Sequence, residues 1–129
     1  MSVELIYLAG ISLITALMWV PYVTNMILVR GLMDAVGYPE SPKPLSPWAQ
    51  RMKQAHANAV ENLTVFAVLV LVANALGISN DITVMASMLY FWARIAHFVV
   101  YAFRIPLART LAFVGGVVAQ VMIALQILT

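Results

Sequence analysis

Cysteine is absent from this 129-residue sequence, and charged residues make up only 9% of it. The absence of cysteine excludes a small domain held together by disulfides. Ordinary soluble domains are about 25% charged and about 45–50% apolar, whereas this chain is 64% hydrophobic with a mean hydropathy of +0.95. A soluble protein of this size could not bury so much apolar surface. A soluble enzyme is therefore excluded, and so is a disordered chain, which requires low hydrophobicity.

The net charge is also small. Seven Lys and Arg against five Asp and Glu give +2, and the cations are scattered along the chain. Nucleic-acid binding needs a concentrated basic surface, so we expect no nucleic-acid partner. The partners that this composition favours are membrane lipids.

Long apolar runs account for most of the chain. A helix that crosses the hydrocarbon core needs roughly 20 mainly apolar residues, and residues 5–29 contain no Asp, Glu, Lys or Arg. Three further runs follow, so the sequence predicts a single all-α integral membrane domain over 1–129, a four-transmembrane-helix antiparallel bundle. The expected helices are 4–30, 47–77, 81–104 and 106–128.

The connections between these runs differ in character. Four of the six prolines fall within 31–47, so residues 31–46 are predicted to be a loop. Ser46 and Pro47 are typical of a helix start, Gly77 of a helix end, and Asn80 of the next N-cap. Short turns make sequential helices antiparallel neighbours.

The cations fall on one side of the predicted bundle. Glu4 and Asp81 lie on the opposite side. Because positively charged loops stay in the cytoplasm, we expect both termini to be non-cytoplasmic, in a membrane that the short loops suggest is the bacterial inner membrane. The six cations on that side are Arg30, Lys43, Arg51, Lys53, Arg104 and Arg109.

Polar residues form one stripe on each of two predicted spans, and ionisable groups at membrane depth are costly and need partners. At ~1.5 Å rise per residue, the depths predict that Asn58 and Glu61 face Arg94 and His97. This arrangement predicts a polar cavity open towards the cytoplasmic side, for an anionic or zwitterionic small molecule, with Arg30 and Arg109 at its mouth. The stripes are Arg51, Gln54, Asn58 and Glu61 on the second helix and Tyr90, Arg94, His97, Tyr101 and Arg104 on the third.

Structural alternatives remain for these residues. Glu61 and Arg94 could form a buried pair that orders the bundle, and His97 could be a hydrogen-bonded packing residue. Arg51 and Lys53 fit charges that extend to the membrane surface. Small residues three or four apart on the fourth helix predict a close packing face, within one chain or between chains; they are Ala108, Ala112, Gly115, Gly116 and Ala119.

Two segments resemble the signatures of the MAPEG family, membrane-associated proteins in eicosanoid and glutathione metabolism. Residues 55–62, AHANAVEN, with the apolar run that follows, resemble the family's second-helix signature. Residues 94–101, RIAHFVVY, resemble its third-helix signature of an Arg, a His three residues on and a Tyr four beyond that. Arg109-Thr110 resembles the family's Arg-Ser/Thr pair, and Arg30 is at a suitable position.

This resemblance implies a homotrimer of four-helix subunits that binds glutathione and acts on a lipophilic small molecule. It implies that Asn58 and Glu61 hold the peptide part of glutathione, that Arg30 reaches a carboxylate, and that Arg94, His97 and Tyr101 belong to the binding site. Arg109, with Thr110, would stabilise the thiolate, since a nearby guanidinium lowers the pKa of a thiol. The chain needs no cysteine, because the thiol comes with the cofactor, and no metal is expected.

The sequence departs from the family pattern at three positions. Glutathione-using members often have arginines where this chain has Gln54 and Ala57, and some have a tyrosine where it has Phe113. Three functions stay open: a glutathione-dependent transferase or peroxidase acting on lipophilic electrophiles or lipid hydroperoxides, a non-catalytic lipid- or ligand-binding member, and a small four-helix transporter. For the third function, this chain lacks the acidic residue that such transporters carry within their first helix.

Overall fold

The computed structural model describes residues 2–129. Four segments are long and apolar enough to cross a membrane, which confirms the predicted all-α, four-span fold. The first span consists of α1 and α2, a short α3 follows, and α4, α5 and α6 are the other three spans. The helices are α1 (Val3–Leu17), α2 (Trp19–Arg30), α3 (Leu32–Val36), α4 (Pro47–Ala75), α5 (Asp81–Ala102) and α6 (Pro106–Leu128).

The first span is broken at Met18, where the sequence predicts one continuous helix. Pro21 explains the position of the break. A proline has no N–H to donate, and its ring clashes with the carbonyl group four residues earlier, which here belongs to Leu17. The helix therefore ends at Leu17 and resumes at Trp19.

The prediction of a loop throughout 31–46 is wrong for its first part, where α3 forms one helical turn. All the prolines of this connection follow Gly37, so the five residues of α3 contain neither proline nor glycine. The prolines break regular structure only in the segment after Gly37, which leads to α4.

The ends of the spans are closed by backbone geometry. After α4, Gly77 has φ +72°, and Ile78 N donates to the Ala73 carbonyl at 2.8 Å, the pattern of a Schellman motif. After α5, Arg104 takes the same role at φ +60°, although it carries a side chain. The Asn80 side chain caps α5, as predicted, by accepting hydrogen bonds from Ile82 N and Thr83 N.

Asn25 joins the first span to the start of α4. It is buried, and its amide makes two hydrogen bonds of 2.9 Å with Ser46, one to the hydroxyl and one from the backbone N–H. Ser46 is the N-cap residue of α4, as predicted, but its hydroxyl is bonded to Asn25 and does not cap the helix. Asn25 thus fixes the end of the long connection.

The core surrounds α5, which packs against α1, α4 and α6. Phe66 of α4 stacks on Tyr90 of α5, with ring centroids 3.8 Å apart. The small-residue face of α6 lies against α5: a Cβ added at Gly116 would come within 3.3 Å of Arg94 Cδ. Glycine at this position allows α6 to approach α5 closely enough to enclose the Arg94 side chain.

Candidate functional site

A polar recess of about 290 Å³ lies where α4, α5 and α6 meet. It is near the end of the bundle at which α2 ends, α4 begins, and α5 turns into α6. We call this the arginine end, because Arg30, Arg51, Arg104 and Arg109 lie at or near it. The polar recess is lined by Asn58, His97, Tyr101, Arg109, Thr110 and Phe113.

Arg94 lies behind the polar recess and is only 1% exposed. Its Nη2 donates to Asn58 Oδ1 at 2.7 Å, so α5 is tied to α4 through a charged hydrogen bond. Its Nε and Nη1 are buried without a hydrogen-bond partner among residues 2–129. The side-chain oxygen of Asn58 therefore accepts a hydrogen bond from Arg94, while Asn58 also lines the polar recess.

Arg109 and Tyr101 form the wall nearest the arginine end. The guanidinium carbon of Arg109 lies 4.9 Å from the centroid of the Tyr101 ring, within the range of a cation–π contact. The Tyr101 hydroxyl donates to Gln54 Oε1 at 3.0 Å. Tyr101 therefore fixes the position of Arg109 from one side and is itself held by α4.

His97 lies deeper, and is 2% exposed. Its ring contacts Tyr101 edge-on at 5.5 Å and lies 6.4 Å from Phe113, centroid to centroid. His97 Nδ1 is buried without a hydrogen-bond partner in the described part of the chain. The imidazole is thus held by aromatic contacts, and one ring nitrogen remains available for hydrogen bonding.

Thr110 lines the polar recess, but its hydroxyl donates to the Pro106 carbonyl at 3.1 Å. Because a hydroxyl has a single proton, Thr110 can only accept a hydrogen bond from a ligand while this contact holds. Of the predicted Arg109-Thr110 pair, Arg109 is the member that can stabilise an anion.

Two predicted members of the cavity lie elsewhere in this chain. Glu61 is on the exposed face of α4, so the predicted Glu61–Arg94 pair is not formed, and Arg94 bonds to Asn58 instead. The reason is helical rotation: a step of three residues from Asn58 turns the side chain by roughly 60° about the helix axis, away from α5. Arg30 is also outside the recess, and its Nε donates to the Lys43 carbonyl at 2.7 Å.

A second recess, of about 330 Å³, adjoins the first and shares Tyr101 and Arg109 with it. We call it the arginine recess. Arg51 is fixed beside it by a 3.1 Å hydrogen bond from its Nε to the Ala102 carbonyl at the end of α5. The other lining residues are Arg104, Ile105 and Pro106.

An apolar groove of about 300 Å³ continues from the polar recess along α6. Phe113 lines both, so a thiol bound beside Phe113 would lie next to a surface suited to a lipophilic molecule. The α6 groove is otherwise lined by Val114, Val117, Val118, Val121 and Met122.

Three contacts were not predicted from the sequence. Tyr22 and His56 share a hydrogen bond of 2.7 Å between the Tyr hydroxyl and His Nδ1, which joins α2 to α4. Asn25 fixes Ser46, and Gln54 holds Tyr101. Of these three contacts, only the last was indicated by the sequence, because Gln54 lies on the same polar stripe as Asn58. No group of His, Cys, Asp and Glu able to hold a metal ion occurs in residues 2–129.

A comparison with protein-family models matches residues 6–129 to the MAPEG family. The chain belongs to the MAPEG family. It is thus an integral membrane protein of the family associated with glutathione and eicosanoid metabolism, which confirms the resemblance found in the sequence. Neither the curated proteins nor the solved structures that were searched gave a match. MAPEG membership gives no support to the small-transporter alternative.

Proposed function

We propose that this protein is a glutathione-dependent transferase or peroxidase that acts on lipophilic electrophiles or lipid hydroperoxides, with its active site in the polar recess. The observation that carries the proposal is the junction at Phe113. There a recess that contains Arg109, and whose lining has no carboxylate, opens into the apolar α6 groove. An anionic thiolate and an apolar substrate can meet at this junction.

Glutathione suits the polar recess because it carries two carboxylates, an amine and a thiol. Asn58 and His97 supply groups that can hydrogen-bond to its peptide part. By resemblance to other MAPEG members, Glu61 also belongs to the binding site. It lies on the outer face of α4, so it would contact a ligand held against Asn58 from outside the bundle.

Arg109 is the proposed activating residue. Its guanidinium is held against Tyr101, where it would stabilise the glutathione thiolate, the nucleophilic form of the thiol. In a transferase reaction the sulfur attacks an electrophilic carbon, and the leaving group departs with its electron pair. In a peroxidase reaction the sulfur attacks the terminal oxygen of a hydroperoxide and releases an alcohol. This leaves a sulfenic acid on glutathione, and the thiol of a second glutathione attacks that sulfur, breaks its S–OH bond and releases water to give the disulfide.

A homotrimer is part of the proposal. Glu61 lies midway along α4, where a carboxylate facing lipid would be costly, yet it is exposed in this chain. Packing against a second subunit would remove that face from lipid. By the positive-inside rule, the cations at the arginine end support a cytoplasmic location for that end and a non-cytoplasmic location for both termini.

A non-catalytic, ligand-binding member of the family is the second candidate. It is favoured by the Thr110 hydroxyl, which is bonded to Pro106, and by Phe113, which has no hydroxyl. With both unable to donate a hydrogen bond to sulfur, activation of the thiol depends on Arg109.

Arg109→Ala tests the proposal, with Lys53→Ala as the matched control because Lys53 is an exposed cation that lines neither recess. We expect purified protein to bind glutathione with micromolar to millimolar affinity by calorimetry. Removal of one stabilising donor costs about 10²–10³ in turnover, so Arg109→Ala should lower kcat with a model electrophile by that factor. Its Kd for glutathione should change less.

Lys53→Ala should match the native protein in both assays. Tight glutathione binding without turnover in the native protein would establish the ligand-binding alternative. No heat of binding at high glutathione concentration, from protein that remains folded, would reject both the transferase and the peroxidase.

A further inference from the structure

A groove of about 410 Å³ opens between α4 and α5 at the arginine end, on a different surface from the α6 groove. We call it the α4–α5 groove. Its lining is apolar except for Arg51, and Trp48 is 42% exposed, Val99 46% and Phe103 73%. The remaining apolar lining residues are Met52, Phe98 and Ala102.

The break at Met18 explains why this groove is open. On one side of the break, α1 packs against both α4 and α5. Beyond it, α2 packs against α4, where Tyr22 bonds to His56, and makes no comparable packing with α5 among the described residues. The first span thus covers the junction of α4 and α5 in one half of the bundle and leaves it uncovered in the other.

The α4–α5 groove leads to a site for an anion. Arg51 lines both the groove and the arginine recess. At the recess, Ile105 and Pro106 form the start of α6, whose N-terminus has no side-chain cap. The unpaired N–H groups of a helix N-terminus attract anions, and Arg104 lines the same recess. Arginine side chains and the end of a helix therefore converge on one place, and no carboxylate is among the lining residues.

We propose that the α4–α5 groove and the arginine recess together bind one anionic phospholipid. The headgroup phosphate lies at Arg51, Arg104 and the start of α6, and an acyl chain lies along Met52, Phe98 and the rest of the groove. Trp48 places this junction at the depth of the membrane interface, where tryptophan side chains concentrate. The clustered arginines select a lipid with net negative charge over a zwitterionic one.

This lipid site is separate from the proposed subunit contact. Met52 lies nine residues before Glu61, which at about 100° per residue places the two side chains on opposite sides of α4. A subunit that covers Glu61 therefore leaves the α4–α5 groove facing the bilayer. The inference also does not depend on glutathione chemistry, because neither Arg51 nor Arg104 lines the polar recess.

Native mass spectrometry of the full-length protein tests the site. The protein is mixed with equal amounts of phosphatidylglycerol and phosphatidylcholine of the same chain length, and the lipids retained are counted. A cation near the membrane surface contributes about 1 kcal/mol of attraction to an anionic lipid, roughly fivefold in affinity. We expect a preference for phosphatidylglycerol of at least that size, which Arg51→Gln and Arg104→Gln each reduce by about fivefold.

Two further variants distinguish the effect of the arginine charges from the effect of the shape of the groove. Lys53→Gln removes an exposed cation of the same helix that lines neither cavity, and it should leave the preference unchanged. Ala102→Trp fills the groove and should reduce retention of both lipids. Thermal unfolding in uncharged detergent checks that each variant is folded. If Arg51→Gln fails this check because it loses the bond to Ala102, the headgroup test is made with Arg104→Gln.

Equal retention of the two lipids, or an equal effect of Lys53→Gln and Arg104→Gln, would overturn the proposal. Displacement of the lipid by inorganic phosphate would assign the recess to a free anion instead. Displacement by glutathione would assign the arginine recess to the glutathione site. Absence of glutathione binding would leave the lipid result unaffected, so the two proposals can fail separately.

Discussion

Arg94 is the largest of the fully buried side chains, and its environment depends on few residues. An ionised group removed from water costs several kcal/mol unless it is paired and hydrogen-bonded. Within residues 2–129, Asn58 supplies the one side-chain hydrogen bond to its guanidinium. The unpaired Nε and Nη1 make this region sensitive to any change at Asn58.

Asn58→Ala is therefore expected to destabilise the protein by about 1.5–3 kcal/mol, the usual value for a hydrogen bond to a charged group. Thermal unfolding in detergent measures the effect. Thr64→Ala is the matched control, since the Thr64 hydroxyl donates to the Val60 carbonyl of the same helix at 3.0 Å and does not contact Asn58. Equal losses of stability in the two variants would show that Asn58 does not support Arg94.

Residue spacing predicted the core of the candidate site but not all of it. The stripes on the second and third spans did bring together Asn58, Arg94, His97 and Tyr101. Glu61 does not face Arg94 as the depths predicted, because spacing defines a helix face only to within about one side chain. The rotation of α4 against α5 is set by packing, such as the stack of Phe66 on Tyr90, and a sequence pattern does not contain it.

At the scale of helices, the four spans follow from hydropathy, because a bilayer requires long apolar segments. Proline and glycine gave most of the boundaries, including the start of α4 at Pro47 and the turn at Gly77. The break at Met18 was missed, although Pro21 predicts one, because a proline ring clashes with the carbonyl group four residues earlier, which is that of Leu17. Arg104, at positive φ, occupies a position where glycine is usual, so composition gave no signal for the exact end of α5.

Asn25 connects α2 to the start of α4. Asn25→Ala removes both hydrogen bonds to Ser46 and is expected to cost about 1–3 kcal/mol, at 0.5–1.5 for each bond. The segment before α4 should also open more often, so a glutamate-specific protease should cleave faster after Glu40. Thr24→Ala is the control, since the Thr24 hydroxyl bonds only within its own helix. Unchanged cleavage after Glu40 would mean that Asn25 does not hold this segment.

At the scale of the whole molecule, the exposed position of Glu61 is the main argument for an oligomer. A carboxylate at the centre of a lipid-facing span costs about 2.5–3.5 kcal/mol on insertion scales. Among residues 2–129, no side chain forms a hydrogen bond or an ion pair with Glu61. The proposed trimer would explain its place halfway along α4, because a second subunit, or a ligand bound together with that subunit, would then cover this face.

The prediction is a homotrimer in mild detergent, with a mass three times the 14.2 kDa of the chain, measured by light scattering with the detergent subtracted. Glu61→Leu gives a second readout. If Glu61 contacts a partner subunit or a ligand, the variant should weaken the trimer or glutathione binding. If Glu61 faces lipid, the variant should stabilise the protein, and that result, or a monomeric mass, would rule out the proposed assembly.

The proposed function requires that the polar recess ionises a bound thiol, and the ultraviolet absorbance of the thiolate reports this ionisation directly. A free thiol has a pKa of about 8.5 and is mostly protonated at neutral pH. With glutathione bound to the native protein at neutral pH, we predict an absorbance that corresponds to nearly one thiolate per occupied site. This absorbance should be lost in Arg109→Ala and kept in Lys53→Ala. Bound glutathione without this absorbance, or an equal signal in Arg109→Ala, would show that Arg109 does not ionise the thiol in this recess.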